Sequence, residues 1–256
     1  MTSAHRRQFI TTAALSSGLG LAAASASAST TASTSPSRKS PNAAPMPKTV
    51  DHRSFKTDNT ALILVDHQVG TIGWAGELAH EAEREQLKMW VRVMARFAKS
   101  AGMPVVLTSS LETEAQGPLL PEFKSILPKE YEQRIQRTGV INAWEDPAFA
   151  KAVRATGKKN LLMAGLTTDV CLVPPALSAA EEGFNVVALL DISAACTKMA
   201  GQNSREILQR HGIDIMSVTP MITSMLGNYK NPASAGFFEA FGAEGVYQAF
   251  AKGNLR

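Results

Sequence analysis

Five short apolar runs recur from residue 61 onward: "ALILV" (61–65), "PVVLTS" (104–109), "NLLMAG" (160–165), "VVALLD" (186–191) and "IDIMSV" (213–218). None alternates apolar with polar positions, so each predicts a strand covered on both faces. Between them lie longer stretches with helical spacing, at about 81–100, 146–156, 172–183 and 201–211. Gly102-Met103-Pro104, Gly157, Gly183 and Gly212 stand where each helix must end before the next strand begins. Strand and helix in alternation, with tight returns, predict an α/β fold: a three-layer α/β/α domain with a mainly parallel central sheet. There is no internal repeat. The tail "GFFEAFGAEGVYQAFAKG" reads as a terminal helix that packs on the domain or on a neighbouring subunit.

The first fifty residues follow another pattern. A basic start, a mildly apolar middle and small-residue sites near Ala26 and Ala28 read as an export signal over residues 1–28, and Arg6-Arg7 before Gln8-Phe9-Ile10 resembles the twin-arginine type. Polar residues interrupt the segment, which argues against a membrane anchor. Residues 29–50 are rich in Ser, Thr, Ala and Pro and read as a flexible spacer, with the folded domain at 51–256. The localisation expected is periplasmic or extracellular, with no stable membrane insertion after processing.

Charge then changes meaning. The chain carries a formal +4, but residues 1–50 hold five basic residues and no acidic one, leaving 21 basic against 22 acidic from position 51. The basic balance belongs to the leader and gives no support for nucleic-acid binding. Cys171 and Cys196 are the only cysteines, too few for a disulfide framework.

In open parallel sheets chemistry gathers beyond the carboxyl ends of the strands. The residues there are Asp66, the segment Ser109 to Glu112, the segment Thr167 to Cys171, and Asp191. Cys171 begins an apolar segment that Pro174 and Pro175 mark as the first turn of a helix, where backbone N–H groups and the helix dipole favour a thiolate. It reads either as a nucleophile or as a space-filling thiol. Asp66 reads as a turn cap, a ligand-binding group or a base. Asp66 and Cys171 on two strand ends of one sheet would give the base and thiol that covalent hydrolysis needs.

Four blocks, "LILVDHQ" (62–68), "GPLLPEF" (117–123), "RTGVINAWEDPAFAKAV" (137–153) and "GKKNLLMAGLTTDVCLVPPALSAAEEGFNVVALLD" (157–191), are similar to the isochorismatase-like cysteine hydrolases, in particular the YcaC-like branch. The resemblance covers roughly residues 55–230. It implies a Rossmann-like isochorismatase fold and a site of Asp66, Arg137 and Cys171. It also implies a cis Leu166-Thr167 bond that turns the backbone N–H groups of Thr167 and Cys171 into an oxyanion hole. Many family members carry lysine where Arg137 stands; arginine stays charged, so proton transfer falls to Asp66. A bare strand-edge charge is the other reading of Arg137. Nicotinamidases of the family add a metal held by Asp and His, but His52, His67, His80 and His211 form no ligand-type cluster, so no catalytic metal and no cofactor are expected. His67 reads as structural.

Asn142, Trp144 and the loop 109–117 are candidate pocket walls, or else loop packing, and Cys196 reads as a passive thiol. The function expected is an exported hydrolase cleaving a C–N bond of a small amide through a Cys171 thioester. The alternatives are a binding or scaffold protein that kept the fold, and thiol redox chemistry, which the lack of a Cys-x-x-Cys pair disfavours. The partners expected are a small-molecule substrate and, by resemblance, further copies of the chain in a homo-oligomer.

Overall fold

The computed structural model describes residues 49–255. The export signal expected over 1–28, and all of the spacer except Thr49 and Val50, lie outside the described residues.

Six strands form one sheet: β1 (Thr60–Val65), β2 (Val105–Ser110), β3 (Ile135–Arg137), β4 (Asn160–Gly165), β5 (Asn185–Leu189) and β6 (Asp214–Met216). Their spatial order is β3-β2-β1-β4-β5-β6, and every pairing is parallel. The chain builds outward from β1 to β3, then returns to β4 on the other side of β1. That reversal opens a crevice between the ends of β1 and β4, where ligands bind in such sheets.

Consecutive side chains of a strand face opposite ways, and β1 shows both faces covered. Leu62 and Leu64 join one buried cluster, while Ala61, Ile63 and Val65 join the other. The first face is closed by α1 (Thr71–Trp74), α2 (Glu81–Ser100), α3 (Glu122–Ile126) and α4 (Pro128–Glu132), the second by α5 (Pro147–Ala155), α6 (Val173–Glu181) and α7 (Lys198–Arg210). On α2 the buried residues Leu87, Trp90, Val91, Met94, Phe97 and Ala98 recur at three- and four-residue spacing, the stripe that binds a helix to a sheet. Gly157 and Gly183 end their helices at φ 68° and 89°, a left-handed conformation that costs glycine little.

Three expectations need adjusting. The run 213–218 is a strand only over 214–216, because Val218 already opens α8 (Val218–Leu226); both carboxylate oxygens of Asp191 accept its N–H, at 3.0 and 2.9 Å. Asp191 is therefore a helix cap and not part of a strand-end site. The tail is two helices, α9 (Ser234–Ala243) and α10 (Val246–Ala251), and α9 packs on this domain: Phe241 meets the edge of Trp90, and Glu244 accepts from both Arg92 and Arg96 at 2.5 and 2.6 Å. Strand β3 had no apolar run to announce it.

His67 lies fully buried beside the end of β1, its Nε2 against the Ile192 carbonyl at 2.8 Å and its ring edge-on to Phe123. Burial lowers its pKa from 6.5 to about 4. Between those values the unfolded chain binds a proton that the folded chain refuses, so this contribution is complete above 6.5 and lost as pH falls to about 4, for about 3 kcal/mol. Asp191, raised by burial to about 6, has the opposite sign and gains stability on acidification. The informative quantity is thus the stability difference between wild type and His67→Gln in urea titrations. It should fall by about 3 kcal/mol between neutral pH and pH near 4; a difference independent of pH would show that His67 is not held neutral.

Candidate active site

At the end of β1 the backbone leaves the strand through Asp66, which adopts φ 57°, a left-handed conformation uncommon outside glycine but tolerated by aspartate. The position is clamped on three sides: Asp66 N–H donates to the Thr108 carbonyl at 3.0 Å, while its own carbonyl accepts from Gln68 N–H at 2.8 Å and Thr71 Oγ1 at 2.6 Å. The turn places the carboxylate over the sheet edge, 2% exposed.

Arg137 closes β3, two strands away. Parallel neighbours lie about 5 Å apart, so only a long side chain crosses β2 to reach Asp66. On the way its Nε donates to Thr108 Oγ1 at 3.1 Å, and Thr108 Oγ1 donates in turn to the Ile135 carbonyl at 2.9 Å. Both Asp66 oxygens accept from Nη2, and Nη1 donates to the carbonyls of Val140 and Ile141. The register that sets Val65 beside Thr108 and Ser110 beside Arg137 makes this span possible. Arg137 is therefore a buried ion-pair partner and not an exposed strand-edge charge.

Cys171 comes from the other side of the crevice. After β4 the Leu166-Thr167 peptide is cis, as the resemblance implied. Thr168–Leu172 then forms a wide π-type turn that leads into α6. Gly165 permits this fold-back, because a Cβ there would stand 3.0 Å from Leu172 N and 3.2 Å from the Cys171 carbonyl carbon. The half-buried thiol lies beside the Asp66 carboxylate, close enough for each to act on the other's proton affinity, and the Thr167 backbone and Arg137 also act on the sulfur. Cys171 N–H donates to the Thr167 carbonyl at 2.7 Å. Of the two backbone donors implied for an oxyanion hole, Cys171 N–H is already engaged and would have to share its proton between two acceptors.

The expectation that the helix start favours a thiolate does not hold for the resting site. Burial raises the thiol pKa well above its ordinary value, and the Asp66 charge and hydrogen bond add to it, against smaller opposing effects of the Thr167 backbone and Arg137. Burial also raises the Asp66 carboxyl, held in check by Arg137. Both shifts point the same way: the thiol holds its proton more tightly than a free cysteine, beside a carboxyl group that leans on a guanidinium.

The other candidates go elsewhere. Asn142 caps a short turn, accepting from Trp144 N–H at 3.1 Å and donating to Ser178 Oγ on α6 at 3.0 Å. Trp144 donates its indole N–H to Glu182, just past the far end of α6, at 2.9 Å and packs edge-on to Phe149 and Phe184. Both side chains tie the loop to the α6 segment, the loop-packing alternative for these two residues. In the loop 109–117, Glu112 accepts from Ser109 Oγ at 2.6 Å and from Arg134 at 2.7 and 2.9 Å. Cys196 sits closer to the site than a passive thiol should: its Sγ is 3.4 Å from Thr167 Oγ1 and its N–H bonds Asp169 at 3.1 Å. Thr71 and Thr108, which hold Asp66 and Arg137, carry no sequence signal beyond lying near strand ends. Among the described residues no group of three His, Cys, Asp or Glu side chains converges as a metal site would require.

Residues 60–220 match the isochorismatase domain family. Over 160 residues, 62% of this chain and 74% of the relative, the sequence is 39% identical to the probable hydrolase YcaC of Escherichia coli strain K12. The crystal structure of the Escherichia coli YcaC gene product, an octameric hydrolase of unknown specificity, is similar with a TM-score of 0.69 and 31% identity, covering 78% of this chain and 95% of that one. YcaC from Pseudomonas aeruginosa, solved with hexane-2,5-diol and covalent acrylamide, gives 0.67 and 31% over 77% and 96%. With its sheet order, its strand-end geometry and the family match across most of its folded part, the chain belongs to the isochorismatase-like hydrolases, among the YcaC-like members.

Proposed function

We propose that this hydrolase cleaves the C–N bond of a small amide with Cys171 as nucleophile, Asp66 as proton carrier and Arg137 as the fixed charge behind Asp66. The observation that carries the reading is the placement of the Cys171 thiol beside a carboxylate that is itself buried and ion-paired. Burial makes Asp66 a stronger base than an ordinary carboxylate, which suits it to take the thiol proton. Moving that proton converts carboxylate and thiol into carboxylic acid and thiolate, so one negative charge stays beside one guanidinium throughout.

The steps follow. As the substrate carbonyl arrives, the thiol proton passes to Asp66 and the sulfur bonds the carbonyl carbon, placing charge on the oxygen. The backbone N–H groups of Thr167 and Cys171 are the donors for that oxyanion, the latter shared with the Thr167 carbonyl; a well-placed donor contributes about 3–4 kcal/mol. The amine leaves with the proton from Asp66, giving a thioester. Water then gives a proton to Asp66, its hydroxide bonds the acyl carbon, and the proton returns to sulfur as the acid departs.

The covalent acrylamide in the Pseudomonas aeruginosa relative supports a reactive site in this branch, and the octamer of the Escherichia coli relative supports a homo-oligomer here. The export signal at residues 1–28 and a periplasmic or extracellular location complete the proposal; secretion of the chain with Arg6-Arg7 intact, and retention when both become Lys, is the outcome expected.

Two substitutions test the chemistry. Asp66→Asn should lower amide turnover, read as ammonia release, by about a thousandfold, the loss expected for a missing proton carrier. The same change should make the thiol more acidic, because the charge that raises it is gone, so Cys171 should alkylate faster at neutral pH. Retained turnover, or a thiol made less acidic, would overturn the roles. Arg137→Ala should cost about 3–5 kcal/mol of stability by leaving the Asp66 carboxylate buried without its partner, measured by urea denaturation; a loss below about 1 kcal/mol, the worth of a surface pair, would contradict the buried pairing.

A further inference from the structure

A guanidinium has five N–H donors, and Arg137 spends all of them inside the protein. Nε goes to Thr108, Nη2 to both oxygens of Asp66, and Nη1 to the carbonyls of Val140 and Ile141. The cation nearest the thiol thus has no donor left for a substrate. Arg134, on the neighbouring loop, is likewise closed on Glu112 through two hydrogen bonds. Asp169, two residues before Cys171, adds a further carboxylate, occupied on one oxygen by Cys196 N–H.

The residues bordering the site have another character. Val140 and Ile141 are held at the site by their carbonyls while their side chains face outward, 36% and 66% exposed. Val170, adjacent to Cys171, is 42% exposed, and Val69, three residues past Asp66, 45%. Val140 and Ile141 are tied to Arg137 through their carbonyls and Val170 adjoins Cys171 in the chain, so these exposed aliphatic side chains belong to the segments that hold the site, and an apolar ligand bound there would bury them.

We propose that the acyl part of the substrate is uncharged and aliphatic, with Ile141 and Val170 as its specificity-determining contacts and the closed Arg137 as the reason an anionic acyl group is refused. This rests on the reading of Cys171 as the nucleophile. A carboxylated amide entering here would lose water without gaining a free donor, and would approach Asp66 and Asp169. An aliphatic amide meets neither cost and covers the exposed valine and isoleucine surface.

Iodoacetamide and iodoacetate form a matched pair for this test, since they alkylate the same sulfur with loss of iodide and differ in charge. Their rates at Cys171, resolved from Cys196 by peptide mass mapping, are compared in the folded protein and in the urea-unfolded chain at one pH. The iodoacetamide-to-iodoacetate ratio should be at least about tenfold higher in the folded protein, given like charges within a few ångströms at a partly buried site. Ile141→Lys, at an exposed position that tolerates the change, should bring the ratio back several-fold toward the unfolded value, while Ile141→Val should leave it. Equal ratios in folded and unfolded protein, or a preference for iodoacetate, would overturn the proposal while leaving Cys171 reactive. Failure of the folded protein to react with either reagent would remove the nucleophile itself, and this inference with it.

Discussion

The ion pair between Asp66 and Arg137 is the constraint around which the site is organised. Both side chains are almost wholly buried, at 2% exposure each, and neither charge is tolerable there without the other. Their pairing requires three strands to hold register, because Arg137 reaches Asp66 only by crossing β2 at Thr108. It requires Asp66 to leave β1 in a left-handed turn, which the bonds from Thr71 and Gln68 hold in place. It also ties the Val140–Ile141 segment to the sheet through the same guanidinium. A small three-residue edge strand is thereby given a large consequence.

The same pair explains why a cysteine can remain a thiol at rest and still be poised for chemistry. Helix starts and cations usually stabilise thiolates, yet here burial and an adjacent carboxylate outweigh them. In the proposed reaction, negative charge stays on Asp66 until a substrate carbonyl gives it somewhere to go. Because the guanidinium faces both acceptors' charge, the transfer asks for little rearrangement of the surroundings, the condition under which fixed electrostatics contribute most. The crevice at the reversal of strand order supplies the meeting place, with Asp66 carried at the end of β1 and Cys171 in the turn after β4.

Much of this was legible in the sequence, for physical reasons. Strands buried on both faces leave uninterrupted apolar runs, so β1, β2, β4 and β5 announce themselves within a residue or two, and helix-ending glycines mark the returns. Asp66 was visible because it follows such a run directly, and Cys171 because it begins the apolar segment after the next turn. Strand β3 was not, since "IQR" at a sheet edge carries no run to detect, and Arg137 entered only through family resemblance. Asn142 and Trp144 read as pocket walls because they are a polar-aromatic pair in a loop, and their hydrogen bonds to Ser178 on α6 and Glu182 just past its end leave no trace in the local sequence. The direction of the thiol shift was misread because helix position shows in sequence, while burial and a carboxylate from another strand are set by the tertiary fold.

The protonation state of Cys171 at rest is the property on which the site's chemistry turns, and thiolate absorbance near 240 nm reports that state directly. The difference spectrum between wild type and Cys171→Ala, titrated from neutral to alkaline pH, should show no Cys171 thiolate at neutrality and its appearance only above the ordinary thiol value of about 8.5. Thiolate absorbance already present at neutral pH, assigned to Cys171 by its loss in Cys171→Ala, would contradict a protonated thiol held on the Asp66 carboxylate, and the base would have to be sought elsewhere.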